Sequence, residues 1–329
     1  MERHNLLFTG GFDSTFRLCQ LSRMEGVEVQ PVYFKFDDPL GRLNQQKEID
    51  AQDAVISCLR NKSATRAVIL DPVRLSESDL PYDSDYDNAF NWWRTSPFIQ
   101  AQLRCIGKVP LLFPGIEIAR EGPTLKHRQE GYIYGKTRTA LMHYGMKFVD
   151  NPDGSVLIDG SHAEPGLDLL YCRFTYPILG IPETSMAPLI HEWGYEDVFK
   201  LTWTCDFNLD HPCGVCHNCE TKWDSGLKGF FGPEATRNHM IKLYLEKHNQ
   251  ELTQKFGYLS SVGFPELFTQ YVKHNYFLAL NFSPNKSLTV PARNFLVGLF
   301  HQKSLDIMSF FRSLMDQWEK DHEVDIHAS

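Results

Sequence analysis

Asn5-Leu6-Leu7-Phe8 reads as a short buried strand that runs directly into Thr9-Gly10-Gly11-Phe12-Asp13-Ser14-Thr15. Residues 15–24 then carry Phe16, Leu18, Cys19, Leu21 and Met24 at helical spacing. A strand that passes into a helix through paired glycines points to an α/β architecture. Glycines there let backbone N–H groups turn inward, and the helix start adds unpaired donors and a partial positive charge. Such a turn can cradle an anion. The hydroxyls of Thr9, Ser14 and Thr15 can donate to phosphate oxygens. Asp13 would repel phosphate, so it suits capping the helix or holding a nucleotide's Mg2+. The bland alternative is a plain turn capped by Asp13 or Ser14. The string matches neither the Gly-Lys-Ser/Thr phosphate loop nor the Gly-x-Gly-x-x-Gly dinucleotide turn.

Strand and helix patterns continue to alternate downstream. Strands are expected at residues 29–36, 67–70 and 109–113, with helices at 44–59 and 97–106, a rhythm that indicates βαβ units and a mainly parallel sheet. The rhythm breaks between 117 and 171, where apolar residues 146–149 and 155–158 flank Asn151-Pro152-Asp153-Gly154 and predict a hairpin. A short strand end follows at 176–179, then helices at 183–193 and 196–201. Only helical signals remain after residue 231, at 235–248, 265–280, 292–302 and 305–322. The expected organisation is therefore an α/β domain over 1–231, with a hairpin insertion near 117–171, and a helical extension over 232–329. A chain of 329 residues accommodates two domains at roughly 100–200 residues each.

Eight cysteines divide unevenly. Cys19, Cys58, Cys105 and Cys172 lie apart, whereas Cys205, Cys213, Cys216 and Cys219 crowd into the segment 205–219 with intervals of seven, two and two residues. Two Cys-x-x-Cys steps sharing a cysteine, with a fourth thiol across a loop, can close a tetrahedral shell around Zn2+. Gly214 suits the tight knuckle this needs. An iron–sulfur or redox site and four incidental thiols are the alternatives. A filled four-thiolate shell leaves no position for water, so the metal would hold the fold and not catalyse.

Composition bounds the partners. Net charge is −8, so the surface as a whole offers phosphate backbones none of the attraction on which non-specific nucleic-acid binding depends. Nucleic acid is not expected as the direct substrate. No run approaches the ~18 apolar residues of a membrane helix, and the N-terminus lacks a secretory layout. The expectation is a cytoplasmic protein without a membrane partner.

The loop resembles the Ser-Gly-Gly-x-Asp-Ser motif of the PP-loop ATP pyrophosphatases, with Thr9 in place of the first serine. Followed by Cys-x7-Cys-Gly-x-Cys-x-x-Cys, it is similar to the QueC family of 7-cyano-7-deazaguanine synthases. Lys47-Glu48-Ile49-Asp50, Tyr176-Pro177-Ile178-Leu179 and Leu201-Thr202-Trp203-Thr204-Cys205 add to the likeness, which spans roughly residues 5–225. The resemblance implies a Rossmann-like parallel sheet of the PP-loop, adenine nucleotide alpha hydrolase-like type. It implies an ATP-dependent carbon–nitrogen ligase in which 7-carboxy-7-deazaguanine is adenylated and ammonia yields the amide and then the nitrile. ATP and Mg2+ would sit on Phe8, Thr9, Gly10, Gly11, Phe12, Asp13, Ser14 and Thr15, with Asp13 and Ser14 in the chemistry, and Zn2+ would be structural.

The chain also departs from that pattern. Phe34 is followed by Lys35-Phe36-Asp37-Asp38-Pro39, the family's Val-Pro-Gly-Arg-Asn segment is replaced by Trp92-Trp93-Arg94-Thr95-Ser96-Pro97, and the lysine after the Thr-Pro-Leu stretch has become Pro182. Candidate substrate contacts are Lys35, Asp37, Trp93, Arg94 and Glu117; Trp92 or Trp93 could stack on a purine-like base, and Asp37 or Asp38 could meet Mg2+. QueC-like proteins also occur in antiphage defence, which here would mean a deazaguanine attached to a protein or nucleic-acid target. The helical extension would then meet a protein partner, or form a homodimer. A tRNA-modifying enzyme and a zinc-stapled scaffold that only senses ATP are competing readings.

Overall fold

The computed structural model describes residues 1–37, 44–119, 135–207, 210–256, 263–274 and 290–322. They form two compact units, Met1–Thr204 with Asp224–Phe230, and Cys205–Trp223 with Phe231–Ser329. Asp38 lies outside the described residues.

The first unit opens with β1 (Glu2–Leu7), α1 (Phe12–Ser22), β2 (Val27–Phe34), α2 (Gln45–Arg60), β3 (Val68–Ile69) and β4 (Val73–Leu75). All four strands are parallel, with β2 between β1 and the β3/β4 pair. Beyond β1, single parallel bridges carry the sheet to Glu117 and on to Thr175. There the Leu7 N–H donates to the Glu117 carbonyl at 2.8 Å and the Ile118 N–H to the Thr175 carbonyl at 2.9 Å. The chain thus builds outward from β1 on one side and returns to build on the other. The order reverses at β1, the kind of crevice where α/β sheets bind ligands.

β2 is the central strand, rich in valine and aromatic residues, and it also contains Pro31. The Val29 carbonyl accepts from Leu70 and the Val32 carbonyl from Phe8, so by alternation residue 31 faces β3 and β4. Proline has no N–H to give there, and the ladder breaks between Ile69 and Val73. The Gln30 side chain fills the gap by donating to the Asp71 carbonyl at 2.8 Å. This is why the strand expected at 67–70 ends at Ile69 and a second short strand, Val73–Leu75, follows it along β2.

The next elements are α3 (Ser84–Trp93), α4 (Leu103–Ile106), α5 (Gly135–His143), β5 (Lys147–Asp150), β6 (Val156–Asp159), α6 (Leu167–Tyr171), α7 (Glu183–Trp193) and α8 (Glu196–Phe199). The hairpin expectation holds: β5 and β6 are antiparallel with Asp150 opposite Val156, and Gly154 takes φ +86° in the turn. Two expectations fail. Residues 109–113 are not a strand, because Val109–Leu111 with Pro110 wind into a 3-10 turn, and the sheet is joined instead at Glu117. The helix expected over 97–106 shrinks to α4. An unexpected helix, α3, precedes it, started by Asp83, whose carboxylate accepts from the Tyr86 N–H at 2.9 Å.

Side chains alternate across the sheet. Leu6, Val27 and Val29 join Phe16, Val55, Met186 and Phe199 in one core, and Leu7, Val32 and Phe34 join Tyr86, Leu103, Leu167 and Leu170 in the other. Both faces of the sheet are therefore covered.

The second unit holds α9 (His217–Lys222), α10 (Pro233–Phe256), α11 (Phe264–His274) and α12 (Val290–Asp321). Its apolar centre includes Leu252, Phe264, Phe268, Ile307 and Phe311. The helices expected at 292–302 and 305–322 are one continuous helix, and residues 275–280 of the helix expected at 265–280 lie outside the described residues. The four-cysteine segment falls in this unit, not with the α/β unit to which the sequence reading attached it. Among the described residues no helix is long and apolar enough to cross a membrane.

Candidate functional site

The glycine loop lies at the C-terminal end of β1, where the strand order reverses. Gly10 adopts φ +71°, and a Cβ added there would lie 2.9 Å from both the Gln52 nitrogen and the Glu48 carbonyl oxygen of α2. Only glycine lets the loop rest on that helix backbone. Gly11 is the N-cap of α1 in an extended conformation and, as a glycine, brings no side-chain cap of its own. The N-cap position is Gly11 and not the expected Asp13 or Ser14, and the helix begins at Phe12, three residues earlier than the periodicity suggested.

A small hydroxyl network closes over the turn. The Gly11 N–H donates to Thr9 Oγ1 at 3.3 Å, Thr9 Oγ1 meets Ser14 Oγ at 3.3 Å, and Ser14 Oγ donates to the Gly11 carbonyl at 3.3 Å. Hydroxyl bonds prefer about 2.7–2.8 Å, so these are long and exchangeable for an anion's oxygens. Thr15 Oγ1 is buried with no hydrogen-bond partner among the described residues, as are both amide atoms of Gln52. Buried polar atoms left unpaired are costly, and a ligand or ordered water at this turn would relieve Thr15. Phe8 and Phe12 can offer only their backbones, since both side chains are buried, Phe12 against Phe199 at 4.7 Å between ring centroids. Asp13 is half-buried in the first turn of α1.

The remaining candidates scatter. Lys35 and Asp37 are exposed just past the end of β2, on the same sheet edge as the loop. Trp93 is a core residue: its ring packs 5.0 Å from Tyr144 and 5.9 Å from Phe98, and its indole N–H donates to the Pro165 carbonyl at 3.0 Å. It has no free face for a base, whereas Trp92 is 77% exposed. Arg94 is exposed at the end of α3.

Glu117 is buried and engaged on both oxygens. Arg17 Nε lies 2.7 Å from Oε2, Arg17 Nη2 2.9 Å from Oε1, and His4 Nδ1 2.7 Å from Oε1. This fork ties α1 to the segment bridged to β1, with both carboxylate oxygens of Glu117 engaged by protein side chains. Arg17→Met should therefore lower the stability of the α/β unit by about 3 kcal/mol, because the buried carboxylate loses its main partner. The double change with Glu117→Gln should recover most of the loss. Urea unfolding followed by tryptophan fluorescence measures both, and equal midpoints for wild type and Arg17→Met would refute the assignment.

The sequence reading passed over Arg17, Lys47 and Trp203 as site residues. Trp203 donates its backbone N–H to the Gly10 carbonyl at 3.0 Å, and Lys47 Nζ lies 5.6 Å from the centre of its ring. Their signal was present only as short likenesses to the QueC pattern, which gave them no role.

In the second unit, Cys205, Cys213, Cys216 and Cys219 are buried and their sulfurs all lie within 4.8 Å of one another. Cys213–Cys219 and Cys216–Cys205 separations are 3.9 and 4.0 Å. Four sulfurs about 2.3 Å from a tetrahedral zinc stand about 3.8 Å apart, so the cage fits one such ion and is too tight for a multi-iron cluster. No disulfide joins any of the eight cysteines. Backbone N–H groups of Phe207, Cys213, Val215 and Cys216 donate to Cys205 or Cys213 sulfur at 3.1–3.4 Å, an arrangement that favours thiolates. Proton sharing with the Cys205 sulfur holds the Cys213 and Cys219 thiols well above the ordinary range, and a divalent cation would reverse this.

α10 supports the knuckle carbonyl by carbonyl. Asn238 Nδ2 donates to Cys213 O at 3.0 Å, His239 Nδ1 to Gly214 O at 3.1 Å and Lys242 Nζ to Val215 O at 2.9 Å. Gly214 takes φ +75°, and a Cβ there would collide with the Ala235 carbonyl at 2.0 Å. The other four cysteines are ordinary thiols. Burial pushes Cys19, Cys58 and Cys105 up, and Cys172 to about 11, so they resist ionisation. Among the described residues the four-cysteine cage is the one cluster of three or more candidate metal ligands.

A scan against family models, a search of curated proteins and a search of solved structures each found no match, so the functional argument rests on these two sites.

Proposed function

We propose that the protein is a QueC-like, ATP-dependent carbon–nitrogen ligase of PP-loop type that activates a deazapurine carboxylate, with one structural zinc in the four-cysteine cage. The observation that carries the reading is the glycine N-cap of α1 behind Gly10, with unpartnered Thr15 Oγ1 beside it among the described residues, at the edge where the sheet order reverses. In the proposed reaction a carboxylate oxygen of 7-carboxy-7-deazaguanine attacks the α-phosphorus of ATP and pyrophosphate leaves. Ammonia then attacks the acyl carbon, AMP leaves and a proton is lost, giving the amide. A second ATP adenylates the amide oxygen as pyrophosphate leaves, and loss of AMP and of the two amide N–H protons gives the nitrile.

The protein's part is to place the α-phosphate against the N–H groups of Phe12, Asp13 and Ser14, fixed by the helix, and against the hydroxyls of Thr9, Ser14 and Thr15, the first two exchanging their long bonds for the anion. Mg2+ supplied with the nucleotide would neutralise phosphate charge, and Asp13 is the residue suited to hold it. Incubation with ATP, Mg2+, 7-carboxy-7-deazaguanine and ammonium should yield AMP together with the amide or nitrile by mass spectrometry. Asp13→Ala should abolish the yield, whereas an ATP-sensing scaffold would form no product with either protein. A second reading, attachment of deazaguanine to a macromolecule through the separate helical unit, is favoured by that unit's own compact core. It would appear in the same assay as a mass added to protein or nucleic acid.

A further inference from the structure

A cavity of about 370 Å3 opens within the helical unit, between α10, α11, α12 and His211 ahead of the cysteine knuckle. That volume is at the small end of the range that holds small-molecule ligands. The lining carries both signs of charge. Glu234 and Arg237 come from one turn of α10, Arg312 and Asp316 from one turn of α12, and Tyr271 with Met315 adds an apolar wall.

Arg237 is only 8% exposed. Its Nε donates to Asn238 Oδ1 at 3.2 Å and its Nη1 is bound to Glu319, but its Nη2 has no acceptor among the described residues. Asn238 is tied in turn to the Cys213 carbonyl, so the guanidinium is held in place with donors to spare. Buried donors without acceptors are costly, and a ligand in the cavity would relieve them.

Arg312 and Asp316 stand four residues apart on α12, a spacing at which opposite charges can pair. Among the described residues neither has an ion pair or a hydrogen bond, and Glu234 has none either. The cavity therefore offers unused donors and unused acceptors together. A lone phosphate would be repelled by Glu234 and Asp316, and a lone metal ion by the two guanidinium groups. A ligand that carries a carboxylate and an ammonium on one carbon satisfies both sets.

We propose that this cavity binds a free α-amino acid, its carboxylate on Arg237 and Arg312, its ammonium on Asp316 and Glu234, and its side chain against Tyr271 and Met315. The site stands apart from the reading of the glycine loop. The test is calorimetric titration of the full chain, without nucleotide, with each of the common L-amino acids. At least one should bind with a Kd of about 1 mM or tighter. Its N-acetyl derivative, which lacks the ammonium, and its carboxamide, which lacks the carboxylate, should each bind about tenfold more weakly or worse. Arg312→Gln and Asp316→Asn should weaken the amino acid by a similar factor. Both positions are exposed, so melting curves should stay close to wild type. If no amino acid binds, if either derivative binds as tightly as its parent, or if either variant keeps wild-type affinity, the proposal is overturned.

Discussion

Chelating the metal should unfold the helical unit while leaving the α/β unit folded. Structural zinc contributes about 10–16 kcal/mol of apparent binding free energy in small sites, as much as the whole stability of a typical domain, about 5–15 kcal/mol. Nothing apolar replaces it here, because the segment it gathers is Cys205-Asp206-Phe207 and Asp210–Cys219, whose buried members are mostly the cysteines themselves. Without the ion the Cys213-Gly214-Val215 knuckle loses its reason to lie along α10, and Asn238, His239 and Lys242 lose the carbonyls that satisfy them inside the unit. Lys242 is buried and would keep only Glu220, at 2.6 Å. Cys216→Ser should have the same effect as a chelator. Lowering pH should release the metal as protons compete for the thiolates. The measurements are elemental analysis, expected to find one zinc per chain, and far-ultraviolet circular dichroism, expected to lose helical signal on chelation. Metal far below one per chain, or a helical signal indifferent to chelation, would contradict the assignment.

What the sequence disclosed follows from the range of each interaction. The glycine loop and the cysteine cage are local: their donors, thiols and tight turns come from within a few residues of one another, so spacing alone reveals them. The hairpin around Asn151-Pro152-Asp153-Gly154 is legible for the same reason. Long-range pairings are not. Nothing near residue 117 announces that its carboxylate will meet Arg17 and His4, a hundred or more positions earlier, and the position was read as a substrate contact because it follows a glycine turn. Trp93 misled in the same way, since an aromatic pair at a helix end looks alike whether it faces a purine or Tyr144. The split of β3 from β4 could have been foreseen from Pro31, but only once its side of the sheet was known. The link from Lys47 through Trp203 to Gly10 joins three segments that are distant in the chain. It had no sequence signature beyond fragments of a family likeness.

Gly10→Ala and Gly11→Ala, two identical chemical changes on adjacent residues, should differ sharply. At Gly10 a methyl group must enter at φ +71°, a region costing a non-glycine residue on the order of 1–3 kcal/mol. It must also lie 2.9 Å from the backbone nitrogen of Gln52 and the carbonyl oxygen of Glu48, and neither can swing aside, because both belong to the buried face of α2. The loop has to lift off the helix, which draws the N–H groups of Phe12 and Asp13 out of register with any anion and breaks the bond from Trp203 to the Gly10 carbonyl. At Gly11 the backbone is already extended at φ −80°, and the new methyl meets chiefly Thr9 Oγ1 at 3.1 Å, a hydroxyl that can rotate. Gly10→Ala should therefore weaken α,β-methylene-ATP by about a hundredfold or more and abolish product formation, a loss of about 2.7 kcal/mol or greater in binding. Gly11→Ala should cost less than about tenfold. Calorimetric titration of both variants, with melting curves to show that each retains its fold, checks the contrast. Equal affinities for the two would mean that the close approach of Gly10 to α2 does not shape the site.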